Sequence, residues 1–215
     1  MEISWLGHGC TRVRTRHATV VADPFERSNG LDMGRPTADI VTVSHHDPLH
    51  DHVAGVRGQP LVIDGPGEYD VMGVQLTAIS AWARPDESGA RERRTAFLLE
   101  AEGLSIALLG AIGQPPSAEQ AEALSNADVL VVPIGEGALA PDEAARAVRA
   151  LEPSIVIPVS YRAAGDVAPE GGADPALAAF LGALGATAEA PLAKLSLQAK
   201  AGSERQRVVL LELRN

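Results

Sequence analysis

Short apolar runs rich in β-branched residues dominate the first half of the chain and predict strands. Such runs of about four to eight residues, bounded by Gly, Pro, Asn or Asp, are typical of strands. They occur at 2–6, 11–15, 18–23, 38–44, 60–65, 74–80, 94–103 and 104–113. The chain up to about residue 103 is therefore predicted to be rich in β-structure.

After about residue 115 the apolar positions change to a helical period. Three segments begin near Pro or Ser and space their apolar residues three or four apart, which predicts helices at 116–127, 141–153 and 174–185. Apolar strands are predicted between and after the helices, at 128–135, 154–161, 193–201 and 206–214. The chain from about 104 to 215 is therefore predicted to alternate strands and helices.

This order of elements predicts an α/β (α+β) fold in which two sheets pack face to face with helices outside. A length of 215 residues suits a single domain over 1–215. The Gly-, Ala- and Pro-rich segment 162–174 is predicted to be a mobile loop.

Composition and charge restrict the classes of partner. Apolar residues make up 46% of the chain but aromatic residues only 3%, so Val, Leu, Ile and Ala must fill the core. A formal net charge of −10 opposes binding to nucleic acid and to anionic membranes. The densest basic run, "RERRT" at 91–95, is interpreted as a solvated hairpin tip.

Cysteine content and the chain start favour a cytoplasmic protein. Cys10 is the only cysteine, so no disulfide forms within the chain, and we expect a small buried hydrophobe there. The N-terminus has no signal-peptide pattern, and the apolar run 176–186 is too short to cross a bilayer.

The stretch "SHHDPLHDHV" at 44–53 carries the candidate chemistry. Four histidines and two aspartates follow an apolar strand, which is typical of a metal site. Asp47 has two interpretations. It is either a helix N-cap followed by Pro48, with Leu49, Val53 and Val56 as an apolar stripe, or a metal ligand.

Segments along most of the chain resemble the metallo-β-lactamase fold superfamily, in particular the compact bacterial Zn-dependent hydrolases that include ascorbate-phosphate lactonase-like proteins. The most specific match is Gly-Pro-Gly-Glu-Tyr within 63–79. Further matching segments are 5–10, 20–25, 38–45, 104–113, 127–135 and 153–161. The resemblance implies a four-layer αββα sandwich, an active site at one edge of the sheets, and two metal ions that activate water.

The ligand positions that the resemblance implies are mostly substituted here. In the family pattern His-x-His-x-Asp-His, the first and last positions are His45 and His50. Asp47 occupies the second histidine position, and Leu49 occupies the aspartate position. The three later ligand positions correspond to Ala83, Ala111 and Ser160. Neither metal retains the three protein ligands that a catalytic zinc typically has.

We therefore expect a degenerate member of the fold, with no catalytic residue, no bound metal, and a binding or partner role. A small molecule in the vacated cleft, near His8, His46 and His52, is one expected partner. A homo-oligomer or an assembly with active relatives is another. The alternative is a metal-dependent hydrolase in which His45, Asp47 and His50, with His8 or His52, hold one zinc, iron or manganese ion.

Overall fold

A computed structural model describes residues 1–28, 30–135, 137–161, 174–198 and 206–213. The predicted mobile loop at 162–174 lies outside the described residues except for Asp174. Two mixed sheets form the fold, one of six strands and one of seven in the described part of the chain.

The first sheet is built almost entirely from the N-terminal part of the chain. Its strands are β1 (Glu2–Gly7), β2 (Cys10–Arg14), β3 (Thr19–Ala22), β4 (Ile40–Thr42), β5 (Leu61–Ile63) and β12 (Leu195–Ser196). Their order is β12-β1-β2-β3-β4-β5. The strands from β12 to β3 are antiparallel, whereas β3, β4 and β5 are parallel. Because β3 and β4 are parallel, the residues that follow them meet at the same edge of the sheet.

The second sheet begins as a meander and continues with parallel strands. Its strands are β6 (Gly67–Val71), β7 (Val74–Trp82), β8 (Arg93–Ala101), β9 (Leu104–Leu108), β10 (Val129–Pro133), β11 (Ile155–Val159) and β13 (Arg207–Val208). Their order is β13-β11-β10-β9-β8-β7-β6. The strands β6 to β9 pair antiparallel, and β9, β10, β11 and β13 pair parallel.

The three predicted helices are confirmed, with shorter bounds. They are α1 (Ala118–Ala123), α2 (Pro141–Leu151) and α3 (Pro175–Leu184). Ser117 caps α1 in a capping box with Gln120, and the Asp174 side chain accepts the backbone N–H groups of Ala176 and Leu177 at α3. No helix among the described residues combines the length and apolarity needed to cross a membrane.

The face-to-face sandwich predicted from the pattern is confirmed. Residues alternate along β1, so that Ile3 and Trp5 join the large core shared with the second sheet, while Leu6 belongs to a smaller cluster on the other face. Cys10 is fully buried in that smaller cluster, as expected. In the described residues this outer face is covered by loops and a 3-10 helix at Val53–Gly55. The helices α1 and α2 pack on the second sheet, and α3 packs against α2.

Two local predictions are wrong. No α-helix forms after Asp47, because the amide of His52 donates to Pro24 O instead of continuing a helical turn. The run 91–95 is exposed at residues 91–93, as expected, but it is not the tip of the hairpin. The turn forms at Asp86–Ala90, where the Asp86 side chain accepts backbone N–H groups, and Arg93 already begins β8.

Candidate functional site

The candidate site lies where the segments that follow several strands meet at one edge of the sandwich. Asp23 follows β3 and Ser44 follows β4. The backbone N–H of Ser44 donates to Asp23 Oδ1 over 2.7 Å, and its hydroxyl donates to Oδ2 over 2.8 Å. Ser44 Oγ in turn accepts the backbone N–H of Ala111, which follows β9, over 2.9 Å. One buried Asp–Ser pair thus ties both sheets together at the site.

Asp23 is a site residue that the sequence analysis did not identify. It is 3% exposed, and burial raises its pKa, although the charge of His50 and the hydrogen bonds from Ser44 oppose this shift. The sequence feature that could have identified it is an aspartate directly before Pro24, at the end of a predicted buried strand. Its backbone is in the left-handed region, with φ +49°, which aspartate tolerates better than most residues.

Asp47 brings two imidazole rings together. Its Oδ2 atom lies 3.1 Å from His45 Nε2, and its Oδ1 atom lies 2.8 Å from His50 Nδ1. The two ring centroids are 6.0 Å apart. The same Oδ1 accepts the backbone N–H of Leu49 over 2.7 Å, so the carboxylate also shapes the turn. We call these residues, His45, Asp47 and His50, the His–Asp–His cluster.

The pKa values of the two cluster histidines are shifted in opposite directions by their surroundings. Burial lowers the pKa of His50, but the hydrogen bond with Asp47 and the charge of Asp23 outweigh it, so the pKa of His50 is raised overall. Burial and the neighbouring Arg94 guanidinium lower the pKa of His45. Burial opposes ionisation of Asp47, but its contacts with His50 lower the Asp47 pKa overall.

The other predicted histidines, His8, His46 and His52, have their own neighbours outside the cluster. His8 is half-buried, stacks edge-on against Phe25 and lies 3.3 Å from Ser28 Oγ. His46 is exposed and lies near Asp51 and Asp64 at 3.6 and 3.8 Å. His52 Nδ1 lies 3.5 Å from Glu26 Oε1. Of the two proposed fourth ligands, His8 has its pKa lowered by burial and, to a smaller extent, by the charge of His50.

The substituted ligand positions surround the same edge. Ala111 binds Ser44 through its backbone, and the backbone N–H of Ser160 donates to His8 O over 3.1 Å. The backbone N–H of Ala83 donates to Glu92 O, and the Glu92 carboxylate lies 3.8 Å from His45 Nε2. Ala83, Ala111 and Leu49 carry no side-chain donor atom for a metal, and Ser160 offers a hydroxyl. A pair of ions bridged by protein ligands does not fit these residues.

Relatives of known sequence match most of this chain and carry hydrolase names. The family described as "Beta-lactamase superfamily domain" matches residues 2–160. A UPF0173 metal-dependent hydrolase from Lysinibacillus sphaericus is 28% identical over 193 residues, covering 75% of this chain and 85% of the relative. A protein of the same description from Methanopyrus kandleri is 27% identical and covers 75% and 84%.

Solved structures agree with this assignment. A Thermotoga maritima protein described as a Zn-dependent hydrolase of the metallo-β-lactamase superfamily superposes with a TM-score of 0.76 and 28% identity, covering 98% of each chain. The metallo-β-lactamase fold protein YhfI from Bacillus subtilis, 8% identical with a TM-score of 0.60 over 98% of this chain and 96% of its own, shares the fold alone. The sandwich, the position of the site and the family match together show that the chain belongs to the beta-lactamase superfamily domain family, with the metallo-β-lactamase fold.

Proposed function

We propose that this protein is a metal-dependent hydrolase that uses one divalent ion, held by His45, Asp47 and His50. The observation that carries the proposal is the His–Asp–His cluster, in which two imidazoles converge on one carboxylate within 3.1 Å. Two imidazoles and a carboxylate suit zinc, iron or manganese, and three protein ligands are the usual number for a catalytic zinc. The names of the relatives as metal-dependent hydrolases support the same reaction class.

A bound divalent ion would supply Lewis-acid chemistry by polarising a carbonyl or phosphoryl oxygen of the substrate. The residues of this chain hold the ligand side chains in place and set the charge of the site. Asp47 orients both imidazole rings, and the buried Asp23–Ser44 pair fixes the end of β4 from which His45 projects. The charge of His50 contributes to lowering the pKa of His8, which favours the neutral imidazole at that position.

Metal content and turnover of the purified protein test this proposal. We expect close to one equivalent of zinc, iron or manganese in protein purified without chelator, measured by mass spectrometry. We also expect hydrolysis of at least one of a nitrophenyl ester, a lactone and a phosphodiester. The double variant His45→Ala/His50→Ala should lose both. His46→Ala, an exposed neighbour outside the cluster, is the matched control and should keep both.

A second candidate is a metal-free binding protein, which the closed geometry of the cluster favours. Among the residues that the structure describes, no group of three or more His, Cys, Asp or Glu side chains is arranged to hold a metal ion. The cluster residues bond to one another instead. A protein that purifies without metal and leaves all three substrates intact would replace the hydrolase proposal with this one. Two equivalents of metal would contradict both.

A further inference from the structure

A second concave site lies beside the candidate site, on the second sheet. It is a cleft of about 730 Å³ between β7, β8 and the segment that leads into α1. Leu109, Ile112 and Ala96 give it an apolar floor, and Pro115 and Pro116 line it as well. Its volume falls in the range of clefts that hold small molecules.

Trp82 lines this cleft and is unusual among the aromatic residues of the chain. It is 42% exposed, whereas Trp5, Phe25, Phe97 and Phe180 are at most 1% exposed. All aromatic residues of this protein fall within the described residues, and Trp82 is the exposed one. An exposed indole in a concave site presents a flat surface on which a planar ring can stack.

Cations lie beside the indole in a strongly acidic protein. Arg91 lines the cleft, and Arg93 is the direct cross-strand neighbour of Trp82 on the same face of the sheet. Within the described residues, neither of these two guanidinium groups forms an ion pair. The guanidinium of Arg94, by contrast, is paired with Glu92. A guanidinium without a carboxylate partner is suited to a carboxylate or phosphate group on a ligand.

Two further polar residues of the lining, Gln114 and Glu119, bear on which ligand the cleft can bind. Gln114 lines the cleft, and its side-chain amide makes no hydrogen bond to the described residues. Glu119, in the first turn of α1, is the acidic residue of the lining, and its negative charge disfavours binding of an anion. The cleft therefore combines a stacking surface, a lining guanidinium, several neutral polar side chains and one opposing carboxylate.

We propose that this cleft binds a small organic anion that carries a planar ring, with the ring on Trp82 and the anionic group on Arg91. The proposal does not depend on the hydrolase reaction or on a metal ion. The cleft nevertheless borders the candidate site, because Glu92, which lies 3.8 Å from His45, directly follows Arg91.

Calorimetric titration with four probes tests the proposal. Adenosine 5′-monophosphate and 2-naphthoate each carry a planar ring and an anionic group, and they distinguish a phosphate ligand from a carboxylate ligand. Adenosine carries a ring alone, and inorganic phosphate an anion alone. We expect at least one of the first two to bind, and to bind at least about tenfold more tightly than adenosine and inorganic phosphate do.

Single substitutions assign the binding to the cleft. Trp82→Leu and Arg91→Gln should each weaken binding about tenfold, or about 1.4 kcal/mol, because each removes one of the two contacts proposed to hold the ligand. Glu119→Gln should tighten it. Arg27→Gln, whose side chain is 81% exposed and lies outside the cleft, is the charge-matched control.

Three outcomes overturn the proposal: neither bifunctional probe binds, binding is unchanged in Trp82→Leu, or the single-feature probes bind as well as the bifunctional ones. Unchanged midpoints of thermal unfolding in Trp82→Leu and Arg91→Gln would exclude misfolding as the cause of weaker binding. Retained binding in His45→Ala/His50→Ala separates this inference from the proposed hydrolase function.

Discussion

At the scale of single residues, the carboxylate of Asp23 is hydrogen-bonded through both of its oxygens. It accepts two hydrogen bonds from Ser44, and Ser44 accepts one from Ala111. The sequence pattern pointed to His45 and His50 because histidines after a strand are a recognisable signal. It could not point to the Asp23–Ser44 pair, because the partners are 21 positions apart and only the parallel pairing of β3 with β4 brings them together.

Asp23→Ala is expected to lower the free energy of unfolding by about 3 kcal/mol. The substitution leaves a buried N–H and a buried hydroxyl without an acceptor, and it puts alanine at a left-handed backbone position. Asp23→Asn should cost less, because asparagine retains an acceptor and tolerates that backbone. Urea denaturation measures both.

Asp64→Ala is the control for this series, since that side chain is 58% exposed and lies 3.8 Å from one exposed histidine. It should change the free energy of unfolding by less than about 0.5 kcal/mol. Equal losses for the buried and the exposed aspartate would show that the Asp23–Ser44 contacts contribute nothing to stability.

At the scale of elements, the turn after β9 approaches the segment after β4 so closely that a side chain is excluded. A Cβ atom on Gly110 would lie 2.2 Å from Ser44 Cβ and 2.6 Å from Ser44 Oγ. The glycine also has φ +59°. This contact, together with the hydrogen bond from Ala111, sets the spacing between the two sheets at the site.

Gly110→Ala should therefore destabilise the protein more than Gly103→Ala does. Both glycines have positive φ, so each substitution carries about 1–2 kcal/mol of backbone strain. At Gly103 nothing lies within 4 Å of the added atom, whereas at Gly110 the collision with Ser44 adds about 1–3 kcal/mol. Chemical denaturation of the pair isolates the packing contribution, and indistinguishable stabilities would contradict the close approach.

Elements with a strong periodic pattern of apolar residues were predictable from the sequence, whereas elements determined by tertiary hydrogen bonds were not. The apolar runs predicted the central strands, and the helical spacing around Leu177 and Phe180 predicted α3. The helix predicted after Asp47 fails because His52 donates to Pro24, a residue of another loop. The edge strand β5 was predicted from the apolar residues Leu61 and Val62, although both are exposed.

At the scale of the whole molecule, an ion pair joins the β-rich half to the α/β half. Arg84 lies between β7 and β8, and its guanidinium contacts both carboxylate oxygens of Glu143 on α2, the shorter contact at 2.6 Å. The hydrogen bond from Arg84 lowers the pKa of Glu143, with the backbone N–H of Ala140 acting in the same direction. The pair stands beside Ala83, so it also positions one rim of the candidate site.

Glu143→Gln should lower stability at neutral pH by less than about 1 kcal/mol, because the Arg84 partner is more than half exposed and screened by solvent. Since the pKa of Glu143 is lowered by folding, its contribution is present above the unfolded value of about 4.3 and disappears as pH falls through the folded value. The difference between wild type and variant, measured by thermal unfolding across pH, should close in acid.

Asp142→Asn, one residue away and 73% exposed, is the matched control. Its substitution should leave the acid dependence of the wild type intact. A gap between wild type and Glu143→Gln that persists at low pH would indicate that the loss comes from packing rather than from charge.

The burial of Cys10 gives the molecule an intrinsic reporter of its own opening. The thiol is the only one in the chain, and burial raises its pKa well above the usual value, so the reactive thiolate is scarce in the closed fold. A disulfide reagent such as dithionitrobenzoate reaches the sulfur only when the outer face of the first sheet separates from its covering loops. At reagent concentrations high enough for labelling to outpace reclosing, the labelling rate of unmodified protein therefore equals the rate of that separation, without an introduced probe.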